Sequence, residues 1–418
     1  LWLPLLLVAQ GDSHYSRWPH PEPCEVASMN RKALVFVVAG PEGYGVRRAW
    51  DLLFQTLSNA GNDIAIAVLD RDYLHSWQSG YPGASVIAPP FLWHSTAIAA
   101  TGAAKYWGIV KRGLSQLRLV RWLLSVQSDI GASAIILQGP LESMLCGIVA
   151  RRASIPALWF VPNAISADKA LDINRRVYRF LFRQANVVPV SNSHFTDSTF
   201  GAGSFRRHVV HLGVDTVHFA PVPQDGGIRA ELGIPETAVV IGVFARMTQS
   251  KGQLRLIRAM AKHEDSMHAV LCGGPTEGAY HDALVAEIKA LGLTGRVHFP
   301  GLQADLRPYY AACDVIGNVR IDPEPFGLSV IEAMACGKPV LAHAAGGPAE
   351  TIVNGVTGWL MPACDVESIA AGLTRALRDS EHWAKMGRAG RDRVEAKFSA
   401  RVFETAAVAV VEAEIMRF

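Results

Sequence analysis

The chain has 418 residues, of which 50% are hydrophobic and 18% charged, with a formal net charge of +3. That balance excludes a disordered chain, and the composition has no collagen or coiled-coil bias. The length predicts two or three domains, each able to bury its own core.

Residues 1–9 are the longest apolar candidate for a membrane span, but they contain Pro4 and stop at Gln10-Gly11, short of the ~18–20 residues a bilayer requires. Residues 1–28 read as an extension outside the fold. Met29 leads through three polar residues into the continuous apolar run 33–38, which has the character of a buried parallel strand. Further strand-like runs follow at 64–69, 134–137, 157–161 and 187–190, with amphipathic segments between them. This alternation predicts a parallel sheet covered by helices on both faces.

The segment 221–227, rich in proline and glycine, is the strongest linker signal, and the rhythm restarts beyond it at 239–244, 269–272, 297–299, 314–318 and 339–342. The expected architecture is α/β: two Rossmann-like, doubly wound domains, 29–214 and 215–400, facing a central cleft.

Charge divides unevenly between them. Residues 29–214 hold 19 Lys and Arg against 10 Asp and Glu, whereas 215–418 hold 20 against 24. No acid occurs between Asp72 and Asp129, a stretch that carries Lys105, Lys111, Arg112, Arg118 and Arg121 beside Trp77, Trp93, Trp107 and Trp122. The mix suits an anionic membrane surface or a phosphate-bearing acceptor. It equally suits a solvated helix with core tryptophans, since the basic residues form no single helical stripe. The six cysteines, at 24, 146, 272, 313, 336 and 364, include no CxxC pair. They read as reduced core thiols of a cytoplasmic protein. No HExxH supplies a metal cage, and nothing calls for nucleic acid.

The chemistry concentrates in residues 322–339, where Glu324 and Glu332 stand eight positions apart. Pro325 and Gly327 place Glu324 on a loop, and the apolar spacing after Gly327 predicts a helix that carries Glu332 and ends at Gly337. The unpaired N–H groups of Phe326, Gly327, Leu328 and Ser329 would then face outward, and a helix amino terminus suits a phosphate. Each carboxylate can accept two hydrogen bonds from a vicinal diol. Upstream, Arg246 and Lys251 follow a buried strand, so both cations are expected in the crevice beyond the strand ends. There is no GxxxxGK[ST] loop, and the glycine-rich turn Gly40, Gly43, Gly45 after the first strand lacks GxGxxG spacing.

These residues resemble the family 4 (group 1) retaining glycosyltransferases of the GT-B fold. Glu324…Glu332 matches the family's E-x7-E motif, and Arg246…Lys251-Gly252 its Arg…Lys-Gly. Gly273-Gly274-Pro275 matches its Gly-x-Gly-Pro, and Gly346-Gly347…Glu350 its donor-domain ending. Leu212-Gly213-Val214-Asp215 is similar to the interdomain Asn-Gly-Val-Asp, with leucine in place of asparagine.

The resemblance implies that Arg246 and Lys251 hold the diphosphate of a nucleotide-sugar, Glu332 the ribose hydroxyls, and Glu324 the transferred sugar. Residues 326–329 would take the distal phosphate, Gly43 and Gly45 would close over it, and backbone near Leu302 would read the base. It further implies a retaining hexosyl transfer to a hydroxyl acceptor without an essential metal or cofactor, and a terminal helix, 401–418, that packs back on the first domain. Pro162 or Asn163 stands where many members carry histidine, so Asn163 is the acceptor-side candidate, although it cannot serve as a general base. A sugar-nucleotide epimerase or phosphorylase of the same fold, and a non-catalytic sugar-nucleotide-binding subunit, are the alternatives.

Overall fold

The computed structural model describes residues 32–38, 44–93, 103–165, 173–223, 227–263 and 267–418. The extension at 1–28, Cys24 and Gly43 lie outside the described residues. Seven parallel strands form the first sheet: β1 (Ala33–Val38), β2 (Asp63–Val68), β3 (Ser85–Ile87), β4 (Ala134–Leu137), β5 (Ala157–Val161), β6 (Val187–Ser191) and β7 (His208–Val209), in the order β3-β2-β1-β4-β5-β6-β7. The edge strands β3 and β7 were not expected, because three and two residues are too few for an apolar rhythm to register.

Alternate residues of these strands enter different cores, as the two-residue period of a strand demands. Leu34, Phe36 and Val38 pack with α1 (Tyr44–Asn59) and α2 (Leu74–Gly80). Val35 and Val37 face the opposite layer, made of α3 (Ala103–Ile130), α4 (Pro140–Ala153) and α5 (Ile173–Gln184). The short helix α6 (His194–Ser198) follows β6. Trp77 and Trp93 are buried in these cores and Trp122 is half-buried, so these three tryptophans of the acid-free stretch serve packing, while the Trp107 side chain lies outside the described residues.

The second sheet has six parallel strands: β8 (Val240–Phe244), β9 (His268–Cys272), β10 (Val297–Gly301), β11 (Val315–Asn318), β12 (Val340–His343) and β13 (Gly358–Met361), in the order β10-β9-β8-β11-β12-β13. Strand β13 was also unexpected. Around it lie α7 (Gly227–Glu231), α8 (Gln253–Met260), α9 (Ala279–Ala290), α10 (Arg307–Ala312), α11 (Leu328–Ala335), α12 (Pro348–Thr351), α13 (Val366–Arg378) and α14 (Trp383–Lys397). The last helix, α15 (Ala400–Ile415), leaves this domain and inserts Phe403, Ala407 and Val411 into the core shared by α1 and the first sheet.

In each sheet the strand order reverses once, between β1 and β4 and between β8 and β11, which opens a crevice at the carboxyl ends of the strands. The five described cysteines are free and buried. Among the described residues, no helix is long and apolar enough to cross a membrane.

Candidate functional site

The strand ends of the two sheets converge on one cavity of about 280 Å³. The first domain contributes Arg48, Gln138, Pro162, Asn163 and Asn192; the second contributes Arg246, Lys251, Leu302, Arg320, Glu324 and residues 325–329, with Glu332 behind them. Arg246, Lys251, Leu302, Glu324, residues 326–329, Glu332 and Asn163, all singled out from the sequence for donor or acceptor contact, therefore line one space. Gly45 lies in the first turn of α1, one position before the lining residue Val46.

Glu324 is held on both oxygens. The Lys251 ammonium donates to Oε2 at 2.9 Å and the Arg320 guanidinium to Oε1 at 3.0 Å. Arg320 also donates to Asp322 at 3.0 Å, so these two cations and two carboxylates balance, and Arg246 supplies the net positive charge at the cavity mouth. Its guanidinium is exposed and has no hydrogen-bond partner among the described residues. Its carbonyl, by contrast, is fixed by the buried Gln253 amide at 2.8 Å, so the backbone carrying this cation is rigid.

Arg320 was missed in the sequence. The available signal was a basic residue two positions beyond β11 and four before Glu324.

Helix α11 begins at Gly327, whose φ of +96° favours glycine, and no side chain caps it. The main chain of this loop is pinned where Glu324 pairs with Gly346, and the Gly347 amide donates to the Glu324 carbonyl at 2.8 Å. Glu332, inside α11, is buried. It accepts from Arg48 of α1 at 2.7 Å and from the Tyr310 hydroxyl at 3.1 Å. Burial, reinforced by the Glu332 charge, pushes the Tyr310 phenol well above its ordinary range, which keeps it a hydrogen-bond donor. Leu302 is exposed at the cavity edge and sits against Gly274. Asn163 is exposed on the opposite wall, and Asn192 donates to the Pro162 carbonyl at 3.0 Å.

Further contacts lock the first domain onto this loop. Ser193 Oγ donates to the Pro325 carbonyl at 2.6 Å. Glu350, from α12, caps α6 of the other domain by accepting the amides of His194 at 3.0 Å and Phe195 at 2.7 Å, and His211 Nε2 lies 2.9 Å from it. The ligand atoms of His194, His211 and Glu350 lie within 4.8 Å of one another, but both Glu350 oxygens are committed to main-chain donors. The trio therefore reads as an interdomain clasp.

Burial alone would raise the Glu350 pKa, yet the bonds from His211, Phe195 and His194 outweigh it and the carboxyl is held below its ordinary 4.5. A depressed carboxyl stabilises fully above the unfolded value and loses that contribution as pH falls through the folded one. The Glu350→Gln variant should accordingly melt below wild type at pH 7, and the gap should narrow as the pH is taken below about 4, read by circular dichroism.

Two parallel doubly wound domains that meet across such a cleft define the GT-B class. Residues 226–393, within the second domain, match the family described as "Glycosyl transferases group 1".

Among curated relatives, a GDP-mannose-dependent alpha-(1-6)-phosphatidylinositol monomannoside mannosyltransferase of Mycolicibacterium smegmatis is 33% identical over 238 residues, covering 53% of this chain and 60% of that protein. A D-inositol 3-phosphate glycosyltransferase of Kribbella flavida is 34% identical over 208 residues, 47% of this chain and 49% of its own. The chain thus spans about half to three-fifths of the length of these relatives. In architecture it is similar to Anabaena Alr3699/HepE, solved in complex with UDP, with a TM-score of 0.77 at 23% identity over 91% of this chain and 100% of that one. The glycosyltransferase WaaG, involved in lipopolysaccharide biosynthesis, superimposes with a TM-score of 0.61 at 16% identity over 90% of this chain and 99% of its own.

Proposed function

We propose that the protein is a glycosyltransferase that moves a hexose from a nucleotide-diphosphate sugar to a hydroxyl of a polyol acceptor, with retention at the anomeric carbon. The observation that carries the reading is the convergence of Arg246, Lys251, Glu324, Glu332 and the uncapped start of α11 on one cavity. Glu332 accepts the ribose hydroxyls, replacing its bond to Arg48. Glu324, oriented by Lys251 and Arg320, accepts hydroxyls of the sugar to be transferred. Arg246, Lys251 and the main-chain N–H groups at Leu328 and Ser329 neutralise the charge that grows on the diphosphate as the sugar–oxygen bond breaks. Leu302 lines the end of the cavity where the base would lie.

The acceptor-side wall offers Gln138, Asn163 and Asn192 as its uncharged polar groups and Arg48 as its charged one. Asn163 orients the incoming hydroxyl but takes no proton. Attack from the face the phosphate leaves lets the departing oxygen receive that proton, which gives retention without a protein base and needs no metal. The curated relatives act, by their names, on phosphatidylinositol monomannoside and inositol 3-phosphate, so inositol phosphates and their lipids are the first acceptors to try.

Thermal-shift titration with UDP-, GDP- and ADP-sugars should single out one base, with stabilisation approaching ~2.7 kcal/mol at 100 times Kd. That donor, labelled in the sugar, should pass label to acceptor or slowly to water, and Glu324→Ala should abolish both. A chain stabilised by none of the three donors, or one that alters the donor sugar in the absence of acceptor, would overturn the proposal.

A further inference from the structure

The first domain has two unlike helical faces. On one, α1 packs against α15 and reaches the second domain through Arg48. The other, formed by α3, α4 and α5, is covered by no described segment. These three helices form one continuous layer over the same sheet face, and the Arg151 guanidinium ties the end of α4 to the Gln184 carbonyl at the end of α5.

Among the described side chains they hold two, two and four arginines respectively, against the two acids Asp129 and Glu142, and Glu142 is buried. Set among this charge are the exposed apolar side chains Leu114, Leu117, Met144, Ile148, Val177 and Phe180. Phe180 is 63% exposed and sits with Arg176, Arg179 and Arg183 around a shallow cleft.

We infer that the α3–α4–α5 face docks on an anionic phospholipid bilayer, with Arg176, Arg179 and Arg183 at the phosphate level and Phe180 and the exposed leucines below it. Charge and apolarity together select this occupant. A second copy of the chain would set two strongly basic faces against each other. A nucleic acid would use the arginines but leave six large apolar groups without a function. A bilayer with anionic headgroups satisfies both, as a basic amphipathic face requires. The basis differs from the one legible in sequence. Trp77, Trp93 and Trp122 of the 72–129 stretch turn inward, and the lipid-facing groups come largely from helices beyond it.

The test is co-sedimentation of the full chain with phosphatidylcholine vesicles containing zero or about 30% phosphatidylglycerol, at low and at 0.5 M salt. Wild type should pellet with the anionic vesicles only, and salt should release it. The double variant Arg176→Gln/Arg183→Gln should lose about 30-fold in partitioning, at roughly 1 kcal/mol for each arginine near an anionic surface. Phe180→Ser should lose binding to the anionic vesicles at low salt, where wild type pellets, and Lys289→Gln, on the second domain, should bind as wild type.

Equal pelleting with both vesicle types, or unchanged partitioning of the double variant, would overturn the inference. So would a wild-type dimer in light scattering that Phe180→Ser dissolves. Circular-dichroism melts of each variant report whether it is folded. Since sedimentation needs neither donor nor acceptor, its outcome is independent of the catalytic proposal.

Discussion

Replacing Lys251 with alanine should lower kcat by ~10²–10³, because removing one fixed donor to a developing anion in a water-poor site typically has that effect. KM for the donor should move much less. On the proposed reading the ground-state diphosphate charge would be shared among Arg246, Lys251 and the start of α11, and only bond cleavage would add charge that a single lost cation leaves unmatched. Arg246→Ala should act in the same direction. The double variant should fall short of the product of the two losses, as is usual for groups that work as one unit.

The structure separates the two cations in a second way. Lys251 already orients Glu324, so Lys251→Ala also frees one carboxylate oxygen while Arg320 retains the other. Discrimination between donor sugars should therefore weaken in Lys251→Ala and survive in Arg246→Ala. Rapid-quench kinetics with two nucleotide-sugars of the same base would read both effects. Full turnover in either single variant would remove these cations from the chemistry.

The legibility of this protein in its sequence follows the range of the forces involved. Buried parallel strands are continuous apolar runs, so β1, β4 and β5 can be read to the residue, while β3 and β7 are too short for periodicity to carry a signal. The helix carrying Glu332 was likewise legible, because Gly327 and Gly337 bracket it and both adopt positive φ.

What sequence could not supply were partners across the domain boundary. Nothing in the run Val46-Arg47-Arg48 says that Arg48 reaches a carboxylate 284 positions away, or that Ser193 fastens Pro325 from the opposite wall. These contacts depend on how two separately folded cores meet, and neither core encodes that meeting locally. Glu350 is the clearest case. In sequence it is one acid of a glycine-rich donor-domain ending, and in space it is the amino-terminal cap of a helix in the other domain.

The second large effect is expected at Gly347, and its cause is space. Its φ of −57° and ψ of −37° are helical values open to any residue, so alanine would carry no conformational penalty there. A Cβ, however, would stand 2.3 Å from both the Cα and the carbonyl oxygen of Phe326, and both of those atoms are main chain. Relief requires the loop from Glu324 to Gly327 to move. Phe326 resists, since it is buried and packs near His211 and Phe398.

Overpacking of this kind typically costs ~1–3 kcal/mol, and a clash with backbone belongs at the upper end. Gly347→Ala should therefore lower the urea midpoint and, because the displaced loop carries Glu324 and the start of α11, abolish nucleotide-sugar stabilisation. Gly233→Ala is the matched control. Its φ of +67° makes alanine strained, yet its Cβ would meet nothing within 4 Å, so it should lose only ~1–2 kcal/mol and keep the full nucleotide shift. If Gly347→Ala unfolded at the wild-type midpoint with an intact nucleotide response, the close packing of the 346–347 turn against the donor loop would not be what sets the position of Glu324.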